Sequence, residues 1–513
     1  MDFSLYTAGF HLLDFTALSF MVIGVVLGII VGALPGLTAT MGVSILIPLT
    51  YSLSPTAAIL MLLGIYCAAN YAGSISATLV NIPGTPSAVM TTLDAFPMAQ
   101  KGEAGRAIGI ATISSSIGGL FSVVTLALMS PFIAEIALKF TSLEMFLVAF
   151  WGISIMAYIS PGSMVKGLIA GFLGLLIACV GFDPLTAVSR LTFGSVHLLA
   201  GVNFIAAMIG LFGVTEIFLN VEKTLKTHKH ELFKVEKSAS SFKEIKSLWG
   251  VIARSSVIGV IVGAIPGAGG TIASIVAYAQ QKRISRNPQL LGKGAPEGIA
   301  AAESANNACC GGAMTTLLSL GIPGDAVTAI MIGAFVMHGI TPGPMMFTKN
   351  YDLVSAIFIG MALIQVLFLV FGLYGAKYFA RLLFIPRPIL NTGILALCLI
   401  GTYAIQSNLF DAGVMLVFGA LGYAMSKMEV PRPPMILAII LGTLMEENFR
   451  RWLSITDGDI WTTVWKSASN NPVTIVLLVL VGMTLVLPIF QKEKIVSEDA
   501  SAFVKKQLDE QKT

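Results

Sequence analysis

The sequence predicts an all-α integral membrane protein with about ten to twelve transmembrane helices. Of its 513 residues, 56% are hydrophobic and only 11% are charged, whereas a soluble domain has roughly 25% charged residues. Apolar runs of about 20 residues, the length that crosses a bilayer core, recur along the whole chain. Pro-Gly pairs interrupt some of these runs, so we expect partial or re-entrant segments among them.

Charge predicts the topology of the chain. The net charge of +4 is small and the basic residues lie in loops, which argues against nucleic-acid binding. No Lys or Arg precedes Lys101, whereas seven lysines lie within 222–246. By the positive-inside rule, that loop, the basic loop 281–297 and the charged tail 491–513 are cytoplasmic. The N-terminus has no basic signal-peptide region, so we expect the first span to stay in the mature protein.

Two motifs occur twice in the chain. GIIVGALPGLTAT at 28–40 matches GVIVGAIPGAGGT at 259–271. AANYAGSISATLVNIPGTP at 68–86 resembles SANNACCGGAMTTLLSLGIPGD at 304–325. The second alignment is looser if Asn70 is paired with Asn306, because four more residues then precede the second Ile-Pro-Gly. The repeats predict two related halves.

Loop charges indicate that the halves are inverted. The basic loop 281–297 corresponds to the uncharged loop 51–55, so matching segments carry opposite topological signals. We therefore expect an inverted-repeat core of the kind that secondary transporters use. The predicted divisions are a first half at 1–221, a linker at 222–246, a second half at 247–490 and a tail at 491–513.

The broken helices predict a binding site. Proline removes a backbone hydrogen bond, and lipid cannot satisfy the groups that are freed. One such break is often a simple kink, but four in matched pairs favour a site where protein, solute or ion supplies the partners. The sequence leaves open whether 35–51 and 266–283 are re-entrant hairpins or short spans.

The residues around the breaks are small, polar and neutral. Freed amides at helix N-termini and hydroxyl groups suit a carboxylate, whereas carbonyl and Asn oxygens suit Na⁺. For any single Ser or Thr, a bond back to the preceding turn is an equal alternative. No arginine clamp is evident near the breaks. The substrate- or ion-binding candidates are Pro35, Gly36, Thr38, Thr40, Asn70, Ser74, Ser76, Asn81, Pro83, Gly84, Thr85, Pro266, Gly267, Gly269, Gly270, Thr271, Asn306, Asn307, Thr315, Thr316, Pro323, Gly324 and Asp325.

Ionisable residues at membrane depth are costly and therefore informative. Glu303 is the candidate proton-coupling group, and Asp325 is expected either to sense an ion or to cap a helix. A second group is expected at the membrane interfaces, where snorkelling lowers the cost of charge: Asp94, Arg106, Glu446, Glu447 and Arg450. The five cysteines lack metal-ligand spacing and are interpreted as buried small side chains.

Several enzyme classes lack their signatures here. The chain has no GxxxxGK[ST], no GxSxG and no HExxH, so neither ATP hydrolysis nor a membrane hydrolase is indicated. We expect no catalytic residue, no cofactor and no metal apart from Na⁺.

Four stretches of the chain carry a resemblance to a known family: GALPGLTATMGVSILIPLTY, YAGSISATLVNIPGTPSAV, GAIPGAGGTIAS and PEGIAAAESANNACCGGAMTTLLSLGIPGD. On these motifs, and over roughly residues 15–490, the chain resembles the large membrane subunit of tripartite tricarboxylate transporters, the TctA family. The resemblance implies a multi-pass importer of the bacterial inner membrane that takes up citrate or related carboxylates using an ion gradient. It also implies a small TctB-like membrane subunit, a TctC-like periplasmic solute-binding protein and elevator-type alternating access.

Two other functions remain open at this point. Broken helices also build selectivity filters, so an anion channel is the first alternative. A membrane enzyme or an assembly subunit is the second, and the sequence offers it no nucleophile and base. The particular carboxylate, the choice between Na⁺ and H⁺ and the oligomeric state are not determined by the sequence.

Overall fold

The computed structural model describes residues 4–159, 163–224, 242–385, 387–456 and 460–490, and they are almost entirely helical. Most of linker 222–246 and the whole tail 491–513 lie outside these ranges. The first half contains α1 (Ser4–Thr7), α2 (Phe15–Ala33), α3 (Ala39–Leu46), α4 (Pro55–Val80), α5 (Val89–Gln100), α6 (Ala104–Ala137), α7 (Ser142–Ile159), α8 (Met164–Ala178), α9 (Phe204–Met208) and α10 (Thr215–Thr224).

The second half is described from residue 242 onward. It contains α11 (Phe242–Ala264), α12 (Gly269–Ile284), α13 (Pro296–Leu320), α14 (Ala326–Met337), α15 (Met346–Lys349), α16 (Tyr351–Phe379), α17 (Arg387–Gln406), α18 (Leu409–Lys427), α19 (Pro433–Ile455), α20 (Ile460–Asn470) and α21 (Pro472–Phe490).

Short elements complete the described chain. A π-helical turn, Ile209–Val214, joins α9 to α10. Two-residue strands β1 (Gly181–Phe182) and β2 (Ser189–Arg190) pair antiparallel. The 3₁₀ helices are Ala8–Leu12, Pro48–Thr50, Pro86–Ala88, Val196–Leu198, Pro288–Leu290 and Ala380–Phe384.

Two of the four predicted helix breaks follow α2 and α11. Helix α2 ends just before Pro35 and α11 just before Pro266, since proline cannot continue the helical hydrogen bonds. The next residue turns the chain: Gly36 has φ +95° and Gly267 has φ +83°, values that favour glycine. After the first turn, the Thr38 hydroxyl caps α3 by accepting from the Met41 amide at 3.1 Å.

The other two predicted breaks follow α4 and α13. Each helix ends on a residue in the left-handed conformation, Asn81 with φ 55° and Gly321 with φ 73°. The chain resumes at α5 and α14, and Asp325 caps α14 by accepting from the Thr328 amide at 2.8 Å. All four breaks predicted from the sequence are therefore present.

Segments α2–α3 and α11–α12 fold as helical hairpins. Helices α2 and α11 are themselves long and apolar enough to cross a bilayer, so the choice between re-entrant hairpins and short spans stays a prediction. A Cβ added at Gly24 would lie 2.2 Å from the Met61 carbonyl oxygen, and one at Gly32 would lie 2.2 Å from that of Ala69. Helices α2 and α4 therefore run parallel from the same end of the bundle, so α3 must return to that end. Helices α11 and α13 pack parallel through Gly259 in the same way.

The second repeat aligns without a gap, which corrects the expected pairing of Asn70 with Asn306. A Cβ at Gly84 would contact the carbonyl oxygen of Gly32 and the Cα of Gly73. A Cβ at Gly324, 240 positions later, would contact the carbonyl of Gly263 and the Cα of Ala313, which is 240 positions after Gly73. By this register the counterpart of Asn70 is Cys310. Side-chain similarity between the two asparagines misled the sequence alignment.

Equivalent residues of the two halves meet where α4 crosses α13. The side-chain amide of Asn70 donates to Cys310 Sγ at 3.2 Å, and the side-chain amide of Asn307 donates to the Cys67 backbone carbonyl at 3.4 Å. Each contact joins positions 240 apart in sequence. Contacts between equivalent positions are what a two-fold axis produces. Inversion of the halves across a membrane stays a prediction.

The long helix after each break packs on the other half. In α6, a Cβ at Gly118 would lie 2.3 Å from the Ser304 carbonyl oxygen of α13. In α16, a Cβ at Gly360 would lie 2.3 Å from the Leu60 side chain of α4. These close approaches interlock the two halves, and the peripheral helices α7–α10 and α17–α21 pack outside them.

Three segments with basic residues lie at one end of the bundle. Lys101 donates to the Lys293 carbonyl at 2.7 Å, and Arg106 pairs with Glu244 at 2.6 Å. This agrees with one common side for these segments, although their cytoplasmic location stays a prediction. Asp94 does not snorkel to solvent, and its interfacial placement stays a prediction. Asp94 is fully buried, and one of its carboxylate oxygens accepts from the backbone amides of Gly292, Gly294 and Ala295 at 2.7–2.9 Å.

The lengths of the apolar helices support the predicted class, an all-α integral membrane protein. Within the described residues, seven helices are long and apolar enough to cross a bilayer, or eight if the bent pair α20–α21 is one span. Four further apolar helices have 10–17 residues. Long helices alone therefore do not reach the expected ten to twelve crossings, and the role of the shorter helices stays a prediction. All five cysteines are free, and four of them are buried.

Glycine contacts between helices give the first testable prediction. Replacing Gly259 by Ala should destabilise the fold by about 1–3 kcal/mol, because its Cβ would lie 2.3 Å from the Ala305 carbonyl oxygen. The matched control is Gly250→Ala in the same helix, where the Cβ would meet no atom within 4 Å. Thermal unfolding of the detergent-solubilised chain measures both. A midpoint for Gly259→Ala at or above that of Gly250→Ala would contradict the packing described here.

Candidate functional site

The four helix breaks converge on one cavity near the centre of the bundle. Its volume is about 610 Å³, which is within the range of roughly 300–1,000 Å³ for small-molecule pockets. One wall consists of residues at the breaks, and the other of residues from α10, from the π-helical turn before it and from the α18–α19 connection. The cavity thus lies between the interlocked core and the peripheral helices.

Four helix N-termini face this cavity. Its wall contains the first residues of α3, of the 3₁₀ turn that leads into α5, of α12 and of α14. The first amides of a helix have no partner within the helix, and the helix dipole adds partial positive charge there. Four such ends directed at one space form an environment that favours an anion.

The structure brings nine of the predicted binding residues to the cavity wall. They are Thr38, Thr40, Asn70, Thr85, Gly267, Gly269, Gly270, Thr271 and Asp325. The other predicted residues lie behind the wall and do not line it: Pro35, Gly36, Ser74, Ser76, Asn81, Pro83, Gly84, Pro266, Asn306, Asn307, Thr315, Thr316, Pro323, Gly324 and Glu303.

Structural roles account for several residues behind the wall. Thr315 and Thr316 donate to carbonyls of their own helix at 2.8 and 3.1 Å, as the back-bonding alternative predicts. Gly84 and Gly324 permit close backbone approach at the breaks. The Gly36 carbonyl accepts from the Asn220 side chain at 2.9 Å, so a peripheral helix supplies a partner for the first break.

Asn70 is the centre of a polar chain that reaches the cavity. Its side-chain oxygen accepts from the Ser87 hydroxyl at 3.3 Å, and Ser87 lies 3.0 Å from the Thr85 hydroxyl. Its backbone carbonyl accepts from the Asn306 amide at 3.1 Å. Asn70 therefore positions the polar groups of both halves at the cavity.

Asn306 lies directly behind the glycine-rich turn of the second half. A Cβ at Gly270 would lie 2.6 Å from Asn306 Oδ1, so glycine at this position lets the amide oxygen approach the cavity. Asn306 Oδ1 and Asn307 Oδ1 are buried and have no hydrogen-bond partner among the described residues. Neutral oxygens of this kind are ligands for Na⁺. The described residues contain no group of three or more His, Cys, Asp or Glu that could hold a metal ion.

Asp325 caps a helix, one of the two roles expected for it. One carboxylate oxygen accepts from the Thr328 amide and hydroxyl, both at 2.8 Å. The other accepts from the Tyr66 hydroxyl of the opposite half. Both oxygens are thus occupied, which ties α14 to α4.

Glu303 is fully buried on α13, one turn before Asn306. Its two carboxylate oxygens accept from the Thr91 hydroxyl at 2.5 Å and the Ser115 hydroxyl at 2.9 Å. Among the described residues no Lys, Arg or His lies within 4.0 Å of this carboxylate. Burial of a carboxylate without a basic partner is costly, which makes Glu303 a candidate for taking up a proton or binding a cation.

Three charged residues of the cavity wall were not predicted from the sequence: Arg432, Glu216 and Glu429. Arg432 Nη2 lies 2.7 Å from Glu216 Oε1. Arg432 is far from every break in sequence, and only folding brings it to the cavity. The available signal was an arginine between prolines, VPRPP at 430–434, which connects two apolar runs.

A second cavity of about 410 Å³ lies near β1 and β2. Its charged lining residues, Arg190 and Glu446, pair with each other at 2.7 Å. The neighbouring Asp183 pairs with Arg450 at 2.6 Å. The Thr186 amide and then Arg450 hold the pKa of Asp183 well below its usual range. These charges already satisfy one another, so the central cavity is the stronger candidate site.

Comparisons with known proteins identify the family. Residues 18–437 match the family described as "Tripartite tricarboxylate transporter TctA family". An "uncharacterized 52.8 kDa protein in TAR-I ttuC' 3'region" of Agrobacterium vitis is 36% identical over 465 residues, which is 91% of each chain. An "uncharacterized protein in TAR-II ttuC' 3'region" of the same organism is 37% identical over 220 residues, 43% of this chain and 89% of the relative.

No solved structure matches this chain. The matching family is a transporter family rather than an enzyme family, and the multiple apolar helices make the chain a multi-pass membrane protein. With a family match over most of its length and a relative that covers 91% of it, the chain belongs to the TctA family of tripartite tricarboxylate transporter subunits.

Proposed function

We propose that this chain is the transport subunit of a binding-protein-dependent secondary importer of small carboxylates such as citrate, and that the central cavity is its substrate site. The observation that carries the proposal is the convergence of four helix N-termini on one cavity. Amide donors fixed at helix ends stabilise a carboxylate without side-chain rearrangement. The hydroxyl groups of Thr38, Thr85 and Thr271 add neutral donors.

The acidic residues of the wall are compatible with an anionic substrate because each has a partner. Asp325 accepts from Thr328 and Tyr66. Glu216 pairs with Arg432 at 2.7 Å, and Glu429 lies 3.7 Å from Lys166. The remaining lining residues are neutral.

We assign coupling to the region of Asn306 and Glu303. Asn306 adjoins the cavity through Gly270, and Glu303 lies one turn before Asn306 on α13, without a basic partner among the described residues. A proton on Glu303, or Na⁺ held by the Asn oxygens, would neutralise this region while substrate is bound. A gradient of that cation would then drive uptake.

Alternating access is proposed to move the hairpin-bearing core against the peripheral helices in an elevator-type mechanism. The cavity is bounded by both groups of helices, so relative movement would change which side of the membrane it faces. The family predicts the rest of the system: a small TctB-like membrane subunit, a TctC-like periplasmic binding protein and the bacterial inner membrane as the site of action.

Uptake of radiolabelled citrate and other carboxylates into vesicles that contain all three subunits tests the function. We expect saturable, concentrative uptake. It should collapse when the gradient of the coupling ion, which is either Na⁺ or H⁺, is removed. Passive flux that does not saturate would favour the channel alternative. Absence of uptake for every carboxylate would overturn the proposed substrate class.

Asn70→Ala tests the cavity as the substrate site. The change removes the acceptor for Ser87 and a wall group of the cavity, so the half-saturation concentration for citrate should rise about tenfold. Asn448→Ala is the control, since Asn448 donates to the Leu444 carbonyl of its own helix and does not line the cavity. Equal uptake curves for both variants, corrected for abundance, would place the substrate elsewhere.

Glu303→Gln tests coupling. Glutamine keeps the size and polarity of the side chain but cannot take up a proton, so we expect gradient-driven accumulation to fall at least about tenfold while substrate exchange continues. The control is Glu297→Gln on the same helix, where the carboxylate accepts from Gln281 and Ser285. Uptake is measured against pH and Na⁺. An unchanged dependence on both would remove Glu303 from the coupling mechanism.

A further inference from the structure

Arg432 is the only basic residue in the described wall of the central cavity. It is the cap residue of α19, and the prolines on both sides of it restrict the backbone there. Its side chain is 18% exposed. A guanidinium fixed in a mostly buried position presents donors in a planar arrangement that matches a carboxylate.

Three neighbours hold the guanidinium. Nη1 donates to the Leu211 carbonyl at 2.9 Å, Nη2 donates to Glu216 Oε1 at 2.7 Å, and Cζ lies 5.6 Å from the centre of the Phe212 ring. All three belong to the π-helical turn and the start of α10. A guanidinium has five N–H donors, so these two bonds leave others for a further carboxylate.

The position of Arg432 complements the helix N-termini. It belongs to the peripheral wall of the cavity, while the four helix ends belong to the core wall. A molecule with two or three carboxylates can therefore meet helix amides with one group and Arg432 with another. A monocarboxylate cannot use both.

We propose that Arg432 forms a second carboxylate subsite, which selects di- and tricarboxylates, and that the Glu216 carboxylate competes with the substrate for this guanidinium. The inference rests on the proposed function and adds a specificity residue to it. Glu216 is a positioning and competing group, because it acts through Arg432.

The alternative is that Arg432 and Glu216 form a structural ion pair that only fastens α10 to α19. The chain offers a matched control for this. Lys427 pairs with Glu222 at 2.5 Å, which also fastens α10 to a neighbouring helix, and neither residue lines the cavity. If both ion pairs only fasten α10, substitutions in either pair should have similar effects on uptake. A recognition role predicts effects on substrate for Arg432 and Glu216 alone.

The two members of the pair should shift substrate affinity in opposite directions. Arg432→Gln should raise the half-saturation concentration for citrate at least about tenfold and leave that for a monocarboxylate nearly unchanged. Arg432→Lys should give an intermediate value, since it keeps the charge without the planar donors. Glu216→Gln keeps an oxygen to hold the guanidinium but removes the competing charge, so it should lower the value about twofold to fivefold.

The experiment measures citrate and acetate uptake by the three-subunit transporter in vesicles. Lys427→Gln and Glu222→Gln are expected to leave both curves unchanged. Glu429→Gln removes one negative charge from a side chain that is 84% exposed, and it should shift the citrate curve less than Glu216→Gln does.

The outcomes separate this inference from the proposed function. No carboxylate uptake by the unmodified transporter would overturn the function itself. Normal uptake with shifts of the same sign in Arg432→Gln and Glu216→Gln, or with equal shifts for citrate and acetate, would overturn the second subsite alone. If Arg432→Gln does not fold, Glu216→Gln still decides, because a structural pair cannot predict tighter citrate binding.

Discussion

The structure depends on one constraint: backbone groups freed at the four helix breaks must find partners inside an apolar protein. Lipid supplies none, and each unsatisfied group costs several kcal/mol. The chain answers by bringing the breaks together. The Gly267 amide donates to the Gly324 carbonyl at 2.8 Å, and the Gly84 amide donates to the Gly73 carbonyl at 3.2 Å. Three of the four breaks are thus partly satisfied within their own half, and the Asn220 side chain supplies a partner for the Gly36 carbonyl at the first break. The helix N-termini at the breaks face a shared cavity.

Close packing of glycines makes this convergence possible. Helices α2 and α11 approach their neighbours through glycines at which a Cβ would lie about 2–3 Å from backbone atoms. Because of this close packing, the turns of the two hairpins, at Gly36 and Gly267, reach the level where α4 crosses α13, near Asn70. The long helices α6 and α16 then interlock the halves. The same packing that keeps the hairpins in place therefore also determines the position of the site.

The charged residues inside the molecule fall into two groups, those with a structural role and those that we link to transport. Asp94 and Asp325 are buried but fully used, since they accept hydrogen bonds at a loop and at a helix end. Glu303 is buried without a basic partner among the described residues, which suits a group that exchanges a proton or cation. Arg432 is paired but has donors to spare. These different situations separate structural charges from the two that we link to transport.

The sequence by itself determined the membrane class, the repeat and the four breaks, because hydropathy, glycine and proline act locally on the backbone. It also identified nine of the residues that line the cavity, since all of them except Asn70 directly adjoin the breaks. It did not determine the pairing of Asn70 with Cys310, the burial of Asp94 or the presence of Arg432 and Glu216 at the cavity. These depend on which helices pack together, and distances between helices far apart in sequence are decided only by the tertiary structure.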